Sequence, residues 1–156
     1  MVVRRAVPAE AEALWNIRNQ AIRHGCRADY PPEVLAAWTP EQMPGGFPDA
    51  VEKNPFFVVD DEAGNPVATG FLDPGMGSVE AVFTLPAFTG KGMARQILNA
   101  IKQEARLRGM RTLMLSSTPN ARDFYLKQGF SVVKEGTYPS SLAGGALRCF
   151  EMICEL

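Results

Sequence analysis

The 156-residue chain holds one histidine, His24, only three cysteines, and no apolar run approaching the roughly 20 residues that a bilayer-crossing helix needs. Cys26, Cys149 and Cys154 are odd in number and lack metal-type spacing, so they read as reduced thiols and no metal site is expected. No charged-then-apolar leader opens the sequence, which gives the expectation of a soluble, cytoplasmic protein. An excess of one charge is missing as well. Sixteen Lys plus Arg stand against seventeen Asp plus Glu, a formal net charge of -1, which excludes the domain-wide positive field of a dedicated nucleic-acid binder. Any phosphate must be held locally. Internal repeats and low-complexity tracts are absent, and 46% hydrophobic content gives the expectation of one domain over residues 1–156 with a sizeable core.

Local pattern supplies the elements. Val2, Val3 and Ala6 read as a short strand, and Pro8 opens a helix from Ala9 to about Ile22, where Leu14, Trp15, Ile17, Ala21 and Ile22 recur at helical spacing. Tyr30-Pro31-Pro32 starts a second, shorter helix through Val34, Leu35 and Trp38. Residues 39–54, rich in proline and glycine, read as loop with one helical turn at most. Residues 56–59 and 67–72 flank a Gly64-Asn65 turn as a hairpin, and residues 79–85 form a strand ending at Pro86. From Gly92 to Arg108 one stripe carries Ala94, Ile97, Leu98, Ile101 and Ala105, and Gly109 fits a left-handed cap. Its basic residues, from Arg95 to Arg111, read as a solvated face. The strand at 112–116 then predicts a parallel crossover onto 79–85. Asn120 and Asp123 start a helix that Gly129 ends. Residues 130–134 and 147–154 are strands around a loop at 137–145. An α/β (α+β) fold follows, a mixed sheet with helices on both faces.

The strand-to-helix junction Thr89-Gly90-Lys91-Gly92-Met93-Ala94-Arg95 carries the chemistry. The first amides of a helix lack intrahelical partners and glycine lets an anion reach them, so the junction is either a phosphate cradle or a plain turn. Counting excludes two nucleotide motifs. Arg95 stands where a dinucleotide fingerprint needs its third glycine or alanine, and Gly90-Lys91 is followed by Gly92 rather than the Ser or Thr of a Walker loop. The acidic metal ligands of a phosphotransferase are also missing.

Gly90-x-Gly92-x-Ala94 after a strand resembles the acetyl-CoA loop Gln/Arg-x-x-Gly-x-Gly/Ala of the GCN5-related N-acetyltransferase superfamily, with Gly92 and Ala94 matching and Thr89 in the Gln/Arg place. The segment Asn120 to Phe130, with Phe124-Tyr125 and Gly129-Phe130, resembles a second segment of the same superfamily. The resemblance is strongest over residues 56–134. It implies a mostly antiparallel twisted sheet whose central parallel strand pair splays apart, and an acetyl-CoA-dependent transfer to a primary amine of a small molecule or peptide by direct attack in a ternary complex. A non-catalytic acyl-CoA sensor of the same fold is the other reading.

By that resemblance Thr89, Gly90, Lys91, Gly92, Met93, Ala94 and Arg95 hold the pyrophosphate. Val82, Phe83, Thr84 and Leu85 pair with the pantetheine arm as a strand would. Tyr125 is the general acid, or else an aromatic packed beside Phe124 and Phe130. Glu80 is the base, directly or through water, or else a solvent-facing residue of an alternating strand. Asn120 caps its helix and contacts the cofactor arm, or only caps. Tyr30, Trp38 and Phe71 line the acceptor pocket, with Trp38 equally a core residue. His24 reads as a polar loop residue. A homodimer through the apolar final strand, 147–154, stays open.

Overall fold

Phe56, Phe57, Val58 and Val59 are all buried without alternation, as in a strand covered on both faces. The computed structural model describes all 156 residues, and this run lies in β2 (Phe56–Asp60) of a seven-stranded sheet. The other strands are β1 (Val3–Arg5), β3 (Pro66–Asp73), β4 (Ser78–Thr84), β5 (Thr112–Ser117), β6 (Ser131–Ser140) and β7 (Gly145–Glu155). Their order is β1-β2-β3-β4-β5-β7-β6, antiparallel throughout except for β4 beside β5. The helices are α1 (Ala11–Gly25), α2 (Pro32–Trp38), α3 (Phe47–Lys53), α4 (Met93–Leu107) and α5 (Arg122–Lys127). No helix is long and apolar enough to cross a membrane.

Alternate residues of β2 show which helix covers which face. Phe57 and Val59 pack into the cluster of Ile97, Leu98, Ile101 and Ala105 from α4, whereas Phe56 and Val58 pack with Leu14 and Ile17 from α1. At the C-terminal end of α1, Ile22 joins Tyr30, Leu35, Trp38 and Leu147 in a third cluster. The expected two-faced sheet and parallel crossover are both present.

Several local expectations need correction. Helix α1 follows a 3-10 turn at Pro8–Glu10 and runs three residues past Ile22. The 39–54 stretch contains α3, two turns long, because Pro48 suits a first turn and Phe47 packs edge-on against Trp15 at 5.4 Å while Val51 is buried. The supposed loop 137–145 is mostly ladder: β6 continues to Ser140 and β7 begins at Gly145. Pro139 is tolerated because β6 is an edge strand, where a missing N–H can face outward. The apolar character of 147–154 is not spare surface for a dimer. Strand β7 is flanked by β5 and β6, and Leu147, Cys149, Phe150, Met152 and Cys154 are buried.

Two distortions position the site. Gly70 of β3 faces Ala81 and Val82 of β4, two residues opposite one, since Thr69 pairs with Phe83 and Phe71 with Glu80. This bulge holds Ala81 at φ 53, the single non-glycine residue at positive φ. Without it Glu80 and Phe83, three apart, would point to opposite faces. With it, both turn toward α1. Gly70 also lets α4 lie close, because a Cβ there would come within 2.7 Å of Ile97 Cγ2 and 3.0 Å of Val82 Cγ2. The second distortion is the parallel pair itself. Strand β4 registers with β5 only at Ser78 and Met114, after which the two diverge and the β5-facing edge of β4 is left unpaired.

Candidate active site

The divergence opens a cleft of about 200 Å³ lined by Val82, Phe83 and Thr84 on one side and by Thr118, Asn120, Phe124 and Tyr125 on the other. Thr89 and Ala94 line it as well, so the glycine junction stands at its edge. Gly90 and Gly92 adopt φ 76 and φ 80, and a Cβ on either would meet no backbone. Glycine is needed here for conformation, which costs most other residues roughly 1–2 kcal/mol. The amides of Met93, Ala94 and Arg95 open α4, and the next amide, of Gln96, is the first bonded back to Gly92.

A second cavity of about 220 Å³ lies on the α1 side. Tyr30, Trp38, Phe71 and Glu80 all line it. Trp38 is core and wall at once, 8% exposed and edge-on to Tyr30 at 5.7 Å. The Tyr30 hydroxyl donates to the Arg148 carbonyl across 2.5 Å, tying the segment before α2 to β7. Cleft and cavity share Ile22, Phe83 and Thr118, so they meet at β4.

Glu80 is half-buried and lines the second cavity only. Its carboxyl accepts only a long contact from Ser78 Oγ at 3.4 Å, and it enters no ion pair. Burial, aided by the negative charge of Asp73, raises its pKa above the ordinary carboxylate value. Tyr125 is 8% exposed, packed edge-on against Phe124 at 5.1 Å and Phe130 at 5.7 Å. Tyr125 thus packs among aromatic rings and also borders the cleft. Burial and the nearby Glu80 raise its phenol pKa further.

The other expected residues have contacts of their own. Asn120 caps nothing; it lies in a 3-10 turn, Pro119–Ala121, accepts a hydrogen bond from Cys26 Sγ at 3.5 Å, and sits against Gly25 of α1, where a Cβ would come within 2.8 Å of Asn120 Nδ2. The Leu85 amide is engaged with the Val67 carbonyl at 2.9 Å, and its side chain and that of Met93 pack in the core. Thr89 Oγ1 donates to the Pro86 carbonyl at 3.0 Å. Lys91 is exposed, its Nζ 5.2 Å from the Phe88 ring, and Arg95 is exposed beside Gly92.

Sequence reasoning missed Arg18 and Tyr138, both of which line the second cavity. Tyr138 fell in the presumed loop. Arg18 did leave a signal: Leu14, Arg18 and Ile22 form one i, i+4, i+8 row, so a cation stands on an otherwise apolar stripe.

The acetyltransferase (GNAT) domain family matches residues 26–143. No curated protein matches the chain. Among solved structures, a GCN5-related N-acetyltransferase from Rhodopseudomonas palustris superposes with a TM-score of 0.88 at 21% identity, covering 99% of this chain and 95% of its own. The PaiA N-acetyltransferase of Thermoplasma acidophilum, in complex with coenzyme A, gives 0.77 at 15% identity, with 99% and 98% coverage. A phosphinothricin acetyltransferase from Sinorhizobium meliloti, in complex with acetyl-CoA, gives 0.71 at 17%, with 99% and 88% coverage. With a family match that takes in the bulged strand, the glycine junction and the Tyr125 helix together, the chain belongs to the GNAT acetyltransferase domain family.

Proposed function

We propose that the protein is an acetyl-CoA-dependent N-acetyltransferase acting on a primary amine by direct transfer within a ternary complex. The observation that carries this reading is the unpaired edge of β4, open to a cleft that meets a second cavity at Phe83 and Thr118. A half-buried strand edge left without hydrogen-bond partners, beside a cleft, offers its main-chain groups to a ligand that can pair with them. The amide-bearing pantetheine arm of acetyl-CoA fits beside Val82, Phe83 and Thr84, and the free amides of Met93, Ala94 and Arg95 fit its pyrophosphate, with Lys91 and Arg95 adding positive charge.

When bound, acetyl-CoA supplies an acyl group activated as a thioester. Glu80 draws the acceptor's ammonium into the second cavity and removes its proton, directly or through water; its raised pKa makes it a stronger base than a solvated carboxylate. Tyr125 holds its phenolic proton firmly at neutral pH and delivers it from Oη to the leaving sulfur. Phe83 and Thr118 border both spaces and keep the two reactants adjacent, which converts a bimolecular encounter into a local one.

Thiol release from acetyl-CoA, followed against a panel of primary amines, tests the proposal. Amine-dependent release supports it. Tight binding of acetyl-CoA with no release on any amine would replace it with the sensor reading.

A further inference from the structure

The cavity beyond Glu80 contains a cation that the transfer chemistry does not use. Arg18 of α1 reaches into it from a stripe that is otherwise apolar, and enters none of the seven ion pairs of the chain. Its guanidinium is fixed in place: Cζ lies 4.2 Å from the Trp15 ring and 5.8 Å from the Trp38 ring, and Nη1 donates to Asn19 Oδ1 at 2.8 Å and to the Trp38 carbonyl at 3.0 Å. These bonds occupy one nitrogen. Nε and Nη2 engage no protein acceptor, so part of the planar fork that matches a carboxylate is free. A half-buried, rigid guanidinium with no carboxylate partner leaves part of its charge unmatched in the empty cavity. Desolvation lowers the Arg18 pKa to about 10, with Tyr138 as the only group that opposes the shift.

Glu80 and Arg18 are not paired with one another, and the Tyr138 ring, which senses both, stands in the field of each. The cavity thus has a negative pole next to β4, a positive pole on α1, and Tyr30, Phe71, Phe83 and Leu147 around the space between them. Arg148, the other cation at this cavity, is already paired with Glu135. We infer that the acceptor is a small amino carboxylic acid with an apolar body, its amine at Glu80 and its carboxylate on the free edge of Arg18. This rests on the acetyltransferase reading for the role of the amine, and on Arg18 alone for the carboxylate. A volume of about 220 Å³ is below the roughly 300–1,000 Å³ of pockets for drug-sized ligands, which favours a free amino acid over a bulkier acceptor.

Matched pairs separate the two claims. Leucine with leucinamide, and phenylalanine with phenylalaninamide, are compared in acetyl-CoA turnover, and the corresponding N-acetyl compounds are compared in calorimetric binding to the protein saturated with coenzyme A. The expected result is a preference of about tenfold or more for each acid over its amide, in kcat/KM and in Kd. Arg18→Gln brings both ratios to near one, and Arg18→Lys retains part of them. The wild-type ratio needs no variant to fold, and the coenzyme A affinity of each variant reports on its folding. Acids and amides turned over equally would overturn the carboxylate assignment and leave acetyl transfer intact. Acids bound selectively but never acetylated would support the assignment and sink the transfer reading. Neither bound nor turned over, in any pair, overturns the assignment.

Discussion

Replacing Glu80 by glutamine should move turnover and stability in opposite directions. Gln keeps the size and the contact with Ser78 Oγ at 3.4 Å but can accept no proton from an amine. Loss of a positioned base typically costs 10² to 10⁴ in rate, and at about 1.36 kcal/mol per decade this is roughly 2.7–5.5 kcal/mol of transition-state stabilisation. Stability follows from the surroundings of the carboxyl. It is half-buried, has no cation within ion-pair distance, and sits in the field of Asp73, so its folded pKa lies above the unfolded value. A group raised in this way contributes stability while both states hold the proton, below the ordinary carboxylate pKa, and loses it as pH rises through the folded pKa. Glu80→Gln should therefore match the parent near pH 4 and exceed it in Tm at pH 8. The measurements are kcat/KM from pH 5 to 9 and thermal denaturation at the two ends. In the parent, kcat/KM should rise with pH through the Glu80 titration, and that limb should vanish in the variant. A variant within twofold of the parent rate with the same pH limb would refute the base assignment, and a variant less stable at pH 8 would refute the burial argument.

Three further outcomes are expected. Tyr125→Phe keeps the edge-on packing with Phe124 and Phe130, so acetyl-CoA affinity should hold while kcat falls by about 10²-fold or more; equal kcat removes the general-acid role. Gly92→Val forces a β-branched residue to φ 80 and should weaken acetyl-CoA binding and lower Tm; unchanged affinity by calorimetry would dissociate the junction from the pyrophosphate. Mass spectrometry of the protein incubated with acetyl-CoA alone should detect no acetylated Cys26 or Cys149, because burial pushes the Cys26 thiol up to about 11 and raises Cys149 too, leaving little thiolate at neutral pH. A stoichiometric acetyl adduct on either thiol would replace direct attack with an acyl-enzyme route.

What could be read from residue order alone was whatever local chemistry dictates. Glycines at 90 and 92 signal positive φ, the 3.6-residue stripe of α4 signals its buried face, and proline at 32 signals the start of α2, so each was legible before any contact was known. Helix α3 was not, because Pro44, Gly45, Gly46 and Pro48 mark breaks locally while Phe47 is fixed by Trp15 and Val51 by Leu14 and Ile17, all on α1 and far away in sequence. The two strands of the β6–β7 hairpin were legible but their continuation into 137–145 was missed for the same reason: Pro139 and the glycines argue against a strand until an edge position is known. Asn120 shows the converse error. Its residue type suits a helix cap, but tertiary contact with Cys26 and Gly25 decides its role.

The bulge at Ala81 was the hardest feature to foresee, and it links the two spaces. Period-2 alternation from Glu80 would send Phe83 toward α4 and close the wall between cleft and cavity differently. One extra residue reverses this, so that Glu80 and Phe83 share the α1 face while Val82 stays against α4 and the cleft. Gly70 is what makes the reversal compatible with packing, since it is the residue opposite the bulge and the one over which Ile97 and Val82 close to within 3.0 Å of a would-be Cβ. A side chain at position 70 would press on α4, which carries the glycine junction, and on β4, which carries the unpaired edge. The same small residue therefore couples the two halves of the cleft, and the site's geometry depends on the core beneath it as much as on the residues that face the ligand.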